Sequence, residues 1–201
     1  MRLYKTPKYF NFIFPGIWRI PSKSIYLTFD DGPDPEITPW VLSILEKHNI
    51  KATFFCVGEN VKKHFPIIEK IVARGHTIGN HTYSHERGRK TDNNLYMDSV
   101  MKTSLLIKTP FFRPPYGSIK RSQIKSLKEN GYRIVFWSWL SHDYDTSLSP
   151  KKIISKSKKI RSGDILVFHD SKKAEKNLKN SLEEIIVYLS QKGFQFGVLT
   201  T

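Results

Sequence analysis

A single α/β domain built on a parallel sheet is the fold class this sequence predicts, and three observations point to it. Short apolar runs alternate with longer amphipathic ones, the pattern of repeated βα units. A length of 201 residues, with 39% hydrophobic and 13% aromatic residues, suits one closed core and leaves two domains cramped. No internal repeat, low-complexity linker or break in composition divides the chain. Such an alternation can close into a (β/α) barrel or lie open as a doubly wound sheet. Gly32 is followed by Pro33 and no G-x-G-x-x-G phosphate loop exists, which favours the barrel.

Residues 1–22 carry the apolar run 10–17, interrupted by Pro15 and Gly16 and followed by no small-residue cleavage site. They are expected to form a packing arm, with residues 23–201 as the domain and the cytoplasm as the compartment. No apolar stretch reaches membrane-spanning length. Seven strands are expected at 25–30, 52–57, 76–80, 110–113, 132–139, 165–169 and 194–199. The first helix is expected at 39–48, with Thr38 as N-cap and Pro39 at the first helical position. Further helices are expected at 64–74, 92–108, 118–130, 151–161 and 172–192, three of them stopping at Gly75, Gly131 and Gly193. The single cysteine, Cys56, excludes an internal disulfide and sits in an apolar strand as a small hydrophobe.

The net charge of +15 favours anionic surroundings such as cell-wall polymers, acidic lipid headgroups or nucleic acid. The Lys-rich stretch 151–161 reads as a solvated helix face. No helix-turn-helix, zinc-finger or RNA-binding signature accompanies the charge, so a specific nucleic-acid partner is not expected.

In a βα barrel the reactive groups stand where strands end. Here five strand ends carry ionisable groups: Asp30 and Asp31, His81 and His85, Arg113, His142 with Asp143 and Asp145, and His169 with Asp170. His81 and His85, four apart, would share one face of a helical turn and could chelate a divalent ion. Two histidines and one carboxylate leave coordination positions open for water and substrate, so the site implies chemistry and not structural support. Of the two adjacent acids, one would bind the metal and the other would stand free beside it as a general base.

Four motifs carry a resemblance to the NodB-homology polysaccharide deacetylases, carbohydrate esterase family 4. They are Thr28-Phe29-Asp30-Asp31-Gly32-Pro33, His81-Thr82-Tyr83-Ser84-His85, Arg113-Pro114-Pro115-Tyr116 and Val167-Phe168-His169. The match spans roughly residues 23–200. The resemblance implies a distorted (β/α) barrel of about seven strands, related to the TIM barrel. It implies that Asp30 is the base and that Asp31, His81 and His85 hold a divalent metal, usually zinc, with cobalt or another divalent ion as substitutes. Arg113 would orient Asp30, and the backbone N–H of Tyr116 would join in stabilising the oxyanion. His169 would be the general acid, with Asp143 raising its pKa. Pro115, Tyr116, Tyr144 and Val167 would shape the substrate pocket. The family's fourth motif is altered, because Leu140 and Tyr144 stand where an Asp and a Trp are usual.

The activity so implied is hydrolysis of N-acetyl groups on an amino sugar in a glycan. An O-acetyl esterase of the xylan type would use the same site. A non-catalytic carbohydrate-binding protein of this fold is disfavoured, since every catalytic position is filled.

Overall fold

The computed structural model describes residues 3–7 and 9–200. Its elements run α1 (Phe10–Ile13), β1 (Ser24–Asp30), α2 (Ile37–Lys47), β2 (Thr53–Cys56), α3 (Gly58–Lys63), α4 (Phe65–Ala73), β3 (Thr77–Asn80), α5 (Asn93–Ser104) and β4 (Phe111–Phe112). There follow α6 (Arg121–Glu129), β5 (Arg133–Ile134), β6 (Trp139–Leu140), α7 (Pro150–Ser157), β7 (Ile165–His169), α8 (Glu175–Lys179), α9 (Leu182–Gln191) and β8 (Gln195–Gly197). All strand pairs are parallel, along the seven-strand path β5-β4-β3-β2-β1-β7-β6, and β8 joins the N-terminal half of β1. Parallel neighbours need crossovers, which the helices supply. The result is a curled half-barrel of the distorted (β/α) kind.

Alternation along β1 places the site. Ile25, Leu27 and Phe29 join the large core with Val41, Leu45, Phe54, Phe168 and Leu189 on the helix side. Tyr26 joins a smaller cluster with Phe55, Phe111, Val135, Ile165 and Leu199 inside the curl. Thr28 and Asp30 share the parity of Tyr26 and therefore point inward too. The strand thus ends with a carboxylate at the mouth of the curl. Cys56 is buried in the helix-side core.

The expected strand 132–139 is two strands. Between β5 and β6 the carbonyls of Val135 and Phe136 accept from the Arg113 guanidinium, which takes them out of any ladder. The N-terminal segment straps this region: Ile17 pairs with Val135, Lys5 with Trp139 and Arg19 with Asp164. Trp18 stacks on Phe136 with centroids 4.2 Å apart. Strapping gives the open strand edges hydrogen-bond partners.

Three helices differ from expectation. α2 begins at Ile37, because Asp34 and not Thr38 caps it: Asp34 Oδ1 accepts from the N–H groups of Glu36 and Ile37. The Thr38 hydroxyl instead donates to Asp170 Oδ2 at 2.5 Å. α3 was not expected; Glu59 in its first turn and Lys62 and Lys63 in its last suit the helix dipole. The stretch 172–192 breaks into α8 and α9, where the Asn180 amide and Ser181 hydroxyl bond back to the carbonyls of Lys176 and Asn177.

Candidate active site

Asp30, 4% exposed, is held by Arg113, which is fully buried. Arg113 Nη1 donates to Asp30 Oδ1 at 2.6 Å and to Thr28 Oγ1 at 2.7 Å. With Nε on the Val135 carbonyl and Nη2 on the Phe136 carbonyl, the guanidinium lies 4.0 Å from the Phe55 ring centroid. A buried charge so completely partnered is tolerable, and it fixes the carboxylate's orientation.

Asp31 lies just past the end of β1 with φ +80°. Strand parity would send it toward the helix side, but the left-handed backbone turns it to the histidines. Its Oδ1 is 3.1 Å from His85 Nε2 and 3.7 Å from His81 Nε2. The three side chains offer ligand atoms all within 4.8 Å of one another. His81 Nδ1 donates to the Arg113 carbonyl at 2.7 Å, and His85 Nδ1 meets the Tyr116 hydroxyl at 3.1 Å. Each histidine thereby turns Nε2 toward Asp31, with its orientation set by the other nitrogen. The two rings do not share a helical turn, contrary to the spacing argument. They are brought to a 5.0 Å centroid separation by a loop with positive φ at Thr82 and His85.

Electrostatics suits these groups to a cation. Burial pushes His81 down to about 4, against the pull of Asp30 and Asp31, so its imidazole is neutral near pH 7. Burial would raise Asp31, but the hydrogen bond to His85 and the neighbouring histidines hold it well below the usual carboxylate range. Two imidazole nitrogens and a carboxylate held in its ionised form are a fitting donor set for a divalent metal.

His169 forms the opposite wall. Its Nδ1 is 2.7 Å from Asp143 Oδ1, and its own backbone N–H donates to Asp143 Oδ2 at 2.9 Å. Burial would lower its pKa, yet the Asp143 charge and hydrogen bond lift it to about 9. Tyr144 stands edge-on to the His169 ring at 4.9 Å. Asn177 of α8 donates to the carbonyls of Asp143 and Asp145 and so secures this loop.

Of the residues singled out from sequence, Asp30, Asp31, His81, His85, Tyr116, Tyr144, Val167 and His169 line one cavity of about 520 Å³. Arg113 and Asp143 sit behind it as supports. Pro115 does not reach it: the residue is buried in the 3₁₀ turn Pro115–Gly117, while Tyr116, at φ +59°, faces the cavity. Arg87, Trp137, Leu140 and Lys173 complete the lining. Asp170 is a support that sequence reasoning noticed but gave no role. Fully buried, it accepts from the Gly32 N–H at 3.2 Å and from Thr38. A Cβ on residue 32 would lie 2.1 Å from Asp170 Oδ2, so only glycine fits there. The adjacency of Asp170 to His169 was the available signal. Among the described residues, five of the six non-glycine residues with positive φ, namely Asp31, Thr82, His85, Tyr116 and His142, lie in these loops. Strained backbone of this sort gathers where function over-determines geometry.

Residues 19–135 match the family model described as polysaccharide deacetylase. Two proteins of Bacillus cereus named peptidoglycan-N-acetylglucosamine deacetylase are similar to this chain. One is 36% identical over 87% of this chain and 66% of its own length, the other 34% identical over 89% and 88%. A crystal structure of the Bc1960 peptidoglycan N-acetylglucosamine deacetylase, in complex with an N-hydroxybenzamide compound, superposes with a TM-score of 0.88 at 34% identity, covering 96% of this chain and 95% of that one.

Proposed function

The chain belongs to the polysaccharide deacetylase family, and on that premise we propose that it is a metal-dependent hydrolase removing N-acetyl groups from amino sugars of a glycan. The observation that carries this reading is the placing of Asp31, His81 and His85 as one donor set beside a second, separately held carboxylate. Asp31, His81 and His85 would hold a divalent ion, zinc being our choice for two imidazoles and a carboxylate, and when bound it would polarise the amide carbonyl and acidify water.

Asp30 takes the proton of the attacking water, with Arg113 preventing it from swinging toward the donor set. The Tyr116 N–H is the protein's own donor to the developing oxyanion. His169 carries a proton at neutral pH because of Asp143, and with Nδ1 occupied it delivers that proton from Nε2 to the departing nitrogen. Val167 and Leu140 form the apolar part of the wall against which an acetyl methyl can rest. Amide cleavage needs leaving-group protonation more than ester cleavage does, and the raised His169 pKa favours the N-acetyl reading over the O-acetyl one. Among the described residues no helix is long and apolar enough to cross a membrane. Attraction of the basic surface to anionic wall polymers or membranes is part of the same proposal.

The test is Asp30→Asn, in which the amide oxygen can still accept from Arg113. Acetate release should fall by roughly 10²–10⁴-fold, with metal content unchanged. A variant retaining near-normal turnover would remove Asp30 from the base role.

A further inference from the structure

We propose that Arg87 and Lys173 read negative charge on the substrate. The preferred glycan would then carry an anionic substituent on a sugar next to the one being deacetylated. This rests on the deacetylase reading and narrows its substrate class.

The two walls of the cavity are built alike. On one, the His85 ring lies 4.6 Å from the Tyr116 ring, and the Arg87 guanidinium lies 3.5 Å from the centroid of that tyrosine. On the other, the His169 ring meets Tyr144 at 4.9 Å, and Lys173 Nζ lies 5.5 Å from the Tyr144 centroid. Each wall is thus a histidine, a tyrosine and then a cation, and both cations line the same cavity as Asp30 and Asp31.

Among the described residues Arg87 and Lys173 form no ion pair. Lys172, one position before Lys173, is paired with Glu36 and Glu175, so acids are within reach of this loop. The two acids in the cavity are already committed, Asp30 to Arg113 and Asp31 to the histidines.

Deacetylation itself does not call for two more positive charges. The amide is neutral, and the developing oxyanion is served by the donor set and the Tyr116 N–H. Stacking on Tyr116 limits the freedom of the Arg87 side chain, which leaves its planar fork suited to a carboxylate or phosphate. A carboxylate or a phosphate on an adjacent sugar supplies such an anion, and a neutral oligomer of N-acetylglucosamine does not.

The experiment compares kcat/KM on three substrates with the metal-loaded protein. They are peptidoglycan glycan strands stripped of peptide, whose lactyl groups are free carboxylates, a phosphorylated chito-oligomer and the neutral chito-oligomer. The acidic-to-neutral ratio should exceed one and decline as salt is added. Arg87→Gln and Lys173→Gln should each lower that ratio by roughly tenfold, mainly through KM. Lys172→Gln, which removes the same charge from a paired neighbour, should leave the ratio as it is. The carboxylate and phosphate arms show which anion is read. A wild-type ratio near one overturns the proposal. So does an equal loss on all three substrates in the Gln variants, which would make the cations mere braces for the tyrosines. No acetate from any of the three by the wild-type protein would instead overturn the deacetylase reading itself.

Discussion

His81 and His169 face each other across the same cavity, both nearly buried, 2% and 9% exposed, at the ends of β3 and β7. Burial pushes both toward the neutral form, yet one settles at about 4 and the other at about 9, either side of the ordinary 6.5. The group behind each ring makes the difference. His81 Nδ1 meets a backbone carbonyl, which orients the ring without adding a full charge. His169 Nδ1 meets the buried Asp143 carboxylate, whose charge outweighs the cost of burial. A neutral imidazole can hold a metal and a protonated one can give up a proton, so the partner behind each ring suits it to the part we propose for it.

The largest effects should come from removing one ring at a time. His81→Ala should lose bound metal on metal analysis and acetate release with it. His169→Ala should keep the metal and lose turnover by roughly 10²–10⁴-fold. Equal metal loss in both variants would break the contrast between the walls.

Asp143→Asn sharpens the contrast by making the second wall resemble the first. The pH profile of kcat/KM should lose its alkaline side near 9 in the wild type, and in the variant that limb should move down toward ordinary histidine values. The same pair sets a sign for stability. The folded pKa lies above the unfolded one, so its contribution is complete below about 6.5 and fades as pH rises to about 9. Thermal melts across that window should show a decline that the Asn variant lacks.

The smallest effect belongs to Asp170, which braces the acid-pair loop and does not touch the His169 ring. Asp170→Ala leaves the Gly32 N–H and the Thr38 hydroxyl without their acceptor. About 1–3 kcal/mol of stability should be lost, read as a lower melting temperature, while the alkaline limb stays in place. A shift of that limb would mean the two walls are coupled.

The gathering of Asp30, Asp31, His81, His85, Arg113 and His169 was legible because each stands at a strand end inside a short local motif. The supports were less legible because they are pairings between distant segments. Thr38 was read as a cap from its neighbours alone, but its hydroxyl is claimed by Asp170, 132 residues away. The strand at 132–139 was read as continuous from its apolar run. Only the folded chain shows Arg113 drawing two of its carbonyls aside. Arg87 and Lys173 looked like two more surface cations in a chain with 33 Lys and Arg.

By itself, the order of residues determined the βα alternation, the core faces and the identity of the reactive groups, because periodicity and side-chain chemistry are local properties. Tertiary structure decided which nitrogen of each histidine is free, which imidazole holds its proton and which cations go unpaired. Those outcomes depend on burial and on charges set within a few ångströms by segments far apart in the chain, and such energies exist only once the sheet has curled.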